Sequence, residues 1–213
     1  MNARFMDVEL LVERGVLVPR EETELLGNAA LELLPPQPRI IDMCCGSGNL
    51  ACALASRSKN ARVWASDLTE ACVALARRNA AHTGVADRVT VVQGDLFSAL
   101  KGLEGTIDLV VCNPPYISQA KLAGERAALL RNEPREAFDG GPYGLSIHQR
   151  VVKEALPFLK PGGSLLFEIG LGQERQVKML FERTRAYEDI RMVANAAGEV
   201  RVVAGRKFNQ RGN

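Results

Sequence analysis

Short apolar runs alternate with longer amphipathic stretches along the chain. The alternation of a two-residue with a 3.6-residue period predicts strands interleaved with helices. Arg39–Met43, with adjacent isoleucines, reads as a short buried strand. A glycine-containing turn and an Ala/Leu-rich helix over about 49–56 follow it. The next strand is predicted over 62–66 and the next helix over about 69–82. In that helix Ala71, Leu75 and Ala76 share a face, and Arg77 and Arg78 sit near the C-terminal end, where cations suit the macrodipole. Gly84 stops it. Residues 89–92 form a third strand and Ile107–Cys112 a fourth. A helix is predicted over 146–159, ended by Lys160-Pro161-Gly162-Gly163, then a strand over 164–169 and a helix over 173–185. Two strands, 190–193 and 200–204, close the chain as an antiparallel hairpin.

The order β-α-β-α-β-α-β, a long insert, then α-β-α-β-β predicts an α/β fold. Its sheet is doubly wound and mostly parallel, seven-stranded, with an antiparallel C-terminal hairpin. A small N-terminal β-hairpin is expected within residues 5–18, with Glu13-Arg14-Gly15 as its turn. The polar stretch 116–144, rich in Glu, Arg and Gly, reads as a substrate loop inserted into a single domain spanning 1–213.

Composition narrows the classes. With 46% hydrophobic and 24% charged residues the chain is globular rather than disordered. Against 25 acidic residues stand 27 basic ones, a balance that argues against a nucleic-acid partner. The basic run 206–211 reads as a solvated tail. No apolar run approaches the roughly 20 residues of a membrane span, and the N-terminal residues show no leader pattern, so no membrane partner and a cytoplasmic location are expected. The five cysteines are odd in number and form no CxxC pair, and the histidines are His82 and His148 alone; neither a disulfide framework nor a metal site is expected.

The strand–turn–helix at Ile40-Ile41-Asp42-Met43-Cys44-Cys45-Gly46-Ser47-Gly48-Asn49-Leu50-Ala51 carries the first candidate chemistry. Glycines at 46 and 48 allow a ligand close to the backbone, and Asp67 ends the next strand, where a carboxylate can bridge ribose hydroxyls. The pattern suits an adenosine-containing cofactor, and Gly46–Ala51 also fits the dinucleotide form GxGxxA. Three features favour S-adenosyl-L-methionine over NAD. Asp42 precedes the glycines, where a carboxylate can hold an ammonium. Asp95, after the third strand, is placed to accept from an adenine amino group, with Leu96 on the ring. The closing hairpin is that of class I methyltransferase sheets.

The most specific signal is Asn113-Pro114-Pro115-Tyr116 at the end of a buried strand. The prolines remove two donors and fix the backbone, Asn113 offers an oxygen, and Tyr116 offers a flat face. The tetrad suits a primary nitrogen on an sp² carbon, as in an amide or an aminopurine. Accepting both N–H hydrogens at Asn113 Oδ1 and the Pro114 carbonyl aligns its lone pair and stabilises the charge that develops on it.

This tetrad resembles the NPPY signature of the HemK/PrmC-type N5-glutamine methyltransferases. Val16–Glu24 is similar to that family's VLIPRPETE segment, with Glu21 in place of the second proline. Residues 133–141 with Gly144-Leu145, the stretch from Gly162-Gly163 to Glu168-Ile169-Gly170, and 201–206 also match, so the resemblance runs from about 5 to 206. It implies a class I methyltransferase (Rossmann-like) fold with S-adenosylmethionine as donor. Asn113, Pro114, Pro115 and Tyr116 would be catalytic, and Asp42, Cys44, Gly46, Gly48, Asp67, Asp95, Leu96 and Asn113 cofactor-binding. Cys44 stands where the family's turn has glycine and is expected to crowd the methionine end of the cofactor. Few residues precede the hairpin, so a short form without the family's N-terminal helical domain is expected. The implied acceptor is a protein glutamine, of the GGQ type in a peptide chain release factor. Alternatives are a small-molecule acceptor, an N6-adenine in nucleic acid, and a binding module without turnover.

Overall fold

The computed structural model describes residues 2–131 and 133–209. Its main sheet has seven strands: β3 (Arg39–Met43), β4 (Arg62–Asp67), β5 (Val89–Gln93), β6 (Ile107–Cys112), β7 (Leu159–Glu168), β8 (Tyr187–Ala194) and β9 (Val200–Lys207). They lie in the order β5-β4-β3-β6-β7-β9-β8. The first five run parallel, while β9 is antiparallel to both β7 and β8. The doubly wound sheet with its closing hairpin is therefore the one the sequence predicts. The central strands are apolar on both faces because helices cover both: Ile40, Ile41, Val110 and Val111 are fully buried. The helices α1 (Glu24–Leu31), α2 (Asn49–Arg57) and α3 (Glu70–His82) pack on one face, and α5 (Ser146–Glu154) and α6 (Glu174–Thr184) on the other.

Two contacts on the first face position the cofactor turn. Residues 50–55 of α2 are all buried and mostly small, and Gly48 starts the helix at φ +76°. A Cβ on Gly48 would lie 2.9 Å from Ala76 Cβ, so glycine lets α2 meet α3 here. Asn79 of α3 is fully buried and donates from Nδ2 to the carbonyls of Ser47 (2.9 Å) and Leu11 (3.1 Å). Its Oδ1 accepts from the Leu11 N–H at 2.7 Å, so one buried amide ties the turn to the N-terminal hairpin.

Several elements differ from expectation. The hairpin pairs β1 (Asn2–Phe5) with β2 (Val8–Leu11) rather than lying within 5–18. Met6 and Asp7 form its turn, both at positive φ (45° and 68°), the twist that a two-residue connection needs. Glu13–Gly15 does turn, with Val16 N–H donating to Glu13 O, but the chain then buries Val16 against Cys72 and Leu75 instead of returning as a strand. No α-helix lies between β5 and β6; a 3-10 turn over Leu96–Ala99 fills the gap. Helix α5 stops at Glu154, and β7 starts at Leu159. Lys160–Gly163 forms a bulge between the pairs Ile107↔Leu159 and Leu109↔Ser164, so its prolyl-glycine signal interrupts a strand rather than ending a helix. The basic run is not a free tail as far as it is described. Arg206 pairs with Glu188 and Asp189, and Lys207 Nζ donates to the carbonyls of Leu156 and Leu159. Gln210 and Arg211 lie outside the described residues. No helix among the described residues is long and apolar enough to cross a membrane.

The insert carries short helical turns, α4 (Gln119–Ala123) and the 3-10 segments Ala127–Arg131 and Arg135–Ala137. It closes on itself where Ile117 bridges Asp139. A Cβ on Gly140 would lie 2.7 Å from Pro115 O, and one on Gly144 2.3 Å from Tyr116 O. Glycine at both positions lets the returning chain lie directly on the backbone of the Asn-Pro-Pro-Tyr tetrad.

Candidate active site

Parallel strands β3, β4 and β6 deliver Asp42, Asp67 and Asn113 to one sheet edge, the carboxyl end where doubly wound folds bind ligands. Asp42 is 1% exposed. Its Oδ2 accepts from the Ala51 N–H at 2.9 Å and so ties β3 to the first turn of α2. Its Oδ1 is buried without a partner, and burial pushes the carboxyl up to about 7. Cys44 follows at φ +59°, the left-handed region that explains a glycine in related turns. Asp67 Oδ2 accepts from the Gly46 N–H at 2.9 Å, and Oδ1 from the Thr69 N–H at 3.1 Å, so it shapes the turn and starts α3 while staying half-exposed.

A small cavity at this turn is lined by Thr23, Asp42, Cys44, Gly46, Ser47 and Asn113. Its chemistry fits the amino-acid end of S-adenosylmethionine. Asp42 Oδ1 is a buried acceptor lacking a donor, Ser47 Oγ is likewise unsatisfied, and a Cβ on Gly46 would meet nothing within 4 Å. Asp95 is placed differently from expectation. Its carboxylate is exposed and takes a two-pronged pair from Arg150 of α5, at 2.9 and 3.0 Å, a partner that the sequence does not suggest. Leu96 is buried in the core, and its carbonyl accepts from Ser66 Oγ at 3.0 Å.

The tetrad lies beyond the end of β6. Asn113 Nδ2 donates to Thr23 Oγ1 at 3.0 Å. Tyr116 is held on both sides: its hydroxyl donates to Glu168 Oε1 (3.3 Å) and accepts from Arg201 Nη2 (3.3 Å), and its carbonyl accepts from Gln173 Nε2 (3.0 Å). Glu168 ends β7 and is 1% exposed. Burial raises its pKa, opposed by the Thr23 hydroxyl, by Arg201 and by Tyr116. Arg201 lies 3.6 Å from Glu168 and 3.8 Å from Glu22. Burial also raises the Tyr116 phenol and lowers His148, whose Nε2 sits 3.1 Å from the Glu168 carbonyl, to about 4.

A cleft of about 530 Å³ opens over this cluster, a size that suits a small ligand or an inserted side chain. Asn113, Pro114 and Tyr116 line it, together with Ile117 and Phe138 of the insert. Asn113 lines both cavities, together with Leu17 and Arg20. The sequence pattern assigns no role to Thr23, Glu168 or Arg201. The available signal was a carboxylate closing the apolar run Leu165-Leu166-Phe167, where a buried charge needs partners.

The methyltransferase small domain profile matches residues 23–131. The chain is similar to the release factor glutamine methyltransferase of Moorella thermoacetica, at 41% identity over 94% of this chain and 70% of that protein. It is similar to the one of Geobacter sulfurreducens at 38% identity, over 95% of this chain and 69% of that protein. Among solved structures it resembles a methyltransferase from Pyrococcus furiosus, with a TM-score of 0.65 and 19% identity over 93% of this chain and 88% of that one. An RNA methyltransferase from Salinibacter ruber, solved with S-adenosyl-L-homocysteine, gives a TM-score of 0.58 and 18% identity, covering 93% and 97%. These two structural likenesses establish the class I methyltransferase fold.

Proposed function

Because the chain belongs to the family of release factor glutamine methyltransferases, we propose that it methylates the side-chain amide nitrogen of a glutamine in a peptide chain release factor. The observation that carries this reading is the position of Asn113, on the wall shared by the cofactor turn and the open cleft. When bound, S-adenosylmethionine supplies an electrophilic methyl group on a sulfonium. Asp42 Oδ1 would hold its ammonium, Asp67 its ribose hydroxyls, and the open side of Gly46 would admit its amino-acid end.

The amide nitrogen of the acceptor is a poor nucleophile because its lone pair is delocalised. Asn113 Oδ1 and the Pro114 carbonyl accept its two hydrogens and turn the lone pair toward the methyl carbon. The positive charge that would develop on the acceptor nitrogen during transfer would be stabilised by the same two oxygens. The extra proton leaves to solvent after transfer. Tyr116, gripped by Glu168 and Arg201, presents a fixed face to the planar amide.

The test uses labelled S-adenosylmethionine with recombinant unmethylated release factor, followed by mass spectrometry of its peptides. One added methyl group on a glutamine is expected. Label confined to a small molecule when a cell extract is supplied would overturn the protein-substrate reading.

A further inference from the structure

An amide side chain has two ends of nearly the same shape, so packing alone does not decide which faces the acceptor. For Asn113 the choice matters: Oδ1 toward the reacting nitrogen accepts its hydrogens, whereas Nδ2 in that place would meet them donor to donor. The structure directs Nδ2 at Thr23 Oγ1, 3.0 Å away, which leaves Oδ1 as the free end. A threonine hydroxyl both donates and accepts, so it selects one amide orientation only when its own proton is committed elsewhere. Glu168 is placed to take that proton: it is fully buried, the Thr23 hydroxyl acts to lower its pKa, and its Oε2 is buried with no partner of its own. Arg201 at 3.6 Å and the Tyr116 hydroxyl at 3.3 Å support its charge. Thr23 is itself 1% exposed, so water does not compete for the hydroxyl.

We propose that Thr23, backed by Glu168, is a positioning residue that locks the Asn113 amide with Oδ1 toward the acceptor nitrogen. The inference rests on the reading of Asn113 as the acceptor's hydrogen-bond partner. With the hydroxyl gone, Nδ2 would be a buried donor without a partner, and the amide would turn it toward the open cleft.

Thr23→Val keeps the shape and removes the hydroxyl. Its kcat on recombinant release factor is expected to fall roughly ten- to a hundredfold, the factor set by one unsatisfied donor, a larger effect than on cofactor Kd. Thr23→Ser restores the rate. The double variant Thr23→Val with Asn113→Ala is no slower than Asn113→Ala alone, because Thr23 acts only through that amide. Glu168→Gln, whose NH2 can donate to Thr23, lowers kcat in the same direction and serves if Thr23→Val fails to fold. A second readout is independent of the acceptor. The Asn113 side-chain amide protons, identified in nitrogen-15 spectra by their loss in Asn113→Asp, are protected from solvent exchange in the wild type and in Thr23→Ser, and unprotected in Thr23→Val. Wild-type kcat in Thr23→Val, on a release factor that the wild type methylates, overturns the inference and leaves the role of Asn113 standing. If the wild type does not methylate the release factor, the substrate reading fails and the spectra decide: unchanged protection in Thr23→Val overturns the positioning role, and lost protection upholds it.

Discussion

Asn113 and Asp42 end neighbouring parallel strands and face different partners, and each carries its own prediction. The contact at Asn113 strengthens as charge develops on nitrogen, so Asn113→Ala is expected to lower kcat on the order of 100-fold or more while leaving cofactor binding nearly intact. Steady-state kinetics beside calorimetry separate the two, and a matching loss in affinity would show that the residue holds the cofactor instead. Asn113→Asp retains an acceptor but loses the N–H that meets Thr23, so partial activity is expected. For Asp42 the sign follows from burial. The folded carboxyl titrates at about 7 against 3.8 in its ordinary state, so between those values the free folded protein holds a proton that the unfolded chain has lost. Its contribution to stability is therefore fully present below pH 3.8 and is lost as pH rises toward 7. An ammonium beside Oδ1 requires the ionised form, so cofactor binding releases that proton. Affinity should be about tenfold weaker at pH 6 than above the titration, and Asp42→Asn should flatten the slope. Calorimetry in buffers of different ionisation enthalpy counts the proton, and a slope surviving in Asp42→Asn would place the titration elsewhere. Both residues were legible in the sequence because a polar side chain closing an apolar strand is conspicuous. Thr23 was not, since its partner lies 90 positions away and only the sheet brings them together. Arg150, 55 positions from Asp95, is the same case in reverse: it engages a carboxylate that the sequence alone leaves open for a ligand.

The strands were easier to read than the helices, for a physical reason visible in particular elements. Strands β3 and β6 match their expected bounds because burial on both faces forces continuous apolar runs bounded by turn residues. Helix α1 escaped notice because its buried positions, Leu26, Gly27 and Ala30, are few and include a glycine that reads as a breaker. That glycine is there for contact: a Cβ on Gly27 would lie 2.1 Å from Met6 Sδ. Helix α5 is shorter than its pattern predicts because the bulge in β7 uses the same residues that end helices. The cofactor turn carries the prediction at this scale. Cys44 sits at φ +59°, which costs an L-residue roughly 1–2 kcal/mol. Glycine there removes that cost but adds back roughly 0.5–1 kcal/mol of chain entropy. Cys44→Gly is thus expected to stabilise the protein by up to about 1 kcal/mol, raising Tm by roughly 2–4 °C. Thermal unfolding of the two proteins checks this, and a lower Tm would mean that the packing of the half-buried Cys44 side chain against the core outweighs its backbone strain.

At the scale of the whole molecule, the insert from 116 to 144 stands between the cleft and solvent, and the sequence supports no continuous core face for it. The structure agrees in part: Leu122 and Phe138 are its buried apolar residues, while Lys121, Glu125 and Arg126 are exposed. Polar contacts hold it at two places. Glu133 Oε1 accepts from the Val18 N–H at 3.1 Å, and its carboxylate pairs with Arg20, so the insert is clasped to the segment that carries Thr23. Gly140 and Gly144 hold the other end against the tetrad backbone. A flap fixed at its base and at Glu133, and thinly packed over 119–131, opens at low cost, as lids over active sites do. The Glu133 contacts are partly exposed and together contribute on the order of 1–2 kcal/mol. Glu133→Gln weakens them and should raise the open population about fivefold or more. Trypsin cleavage at Lys121, Arg126 and Arg131 should accelerate in proportion, since cleavage of a rapidly reclosing segment follows its open fraction. Release factor should slow cleavage in the wild type more than in the variant, because only the clasped flap buries its base against a filled cleft. The KM for release factor should rise in Glu133→Gln with kcat little changed, as the clasp shapes the cleft without touching the reacting atoms. Equal cleavage rates in wild type and variant would show that Gly140, Gly144 and the Ile117–Asp139 bridge hold the flap alone, and that the pairing of Glu133 with Arg20 is a surface contact without a role in closure.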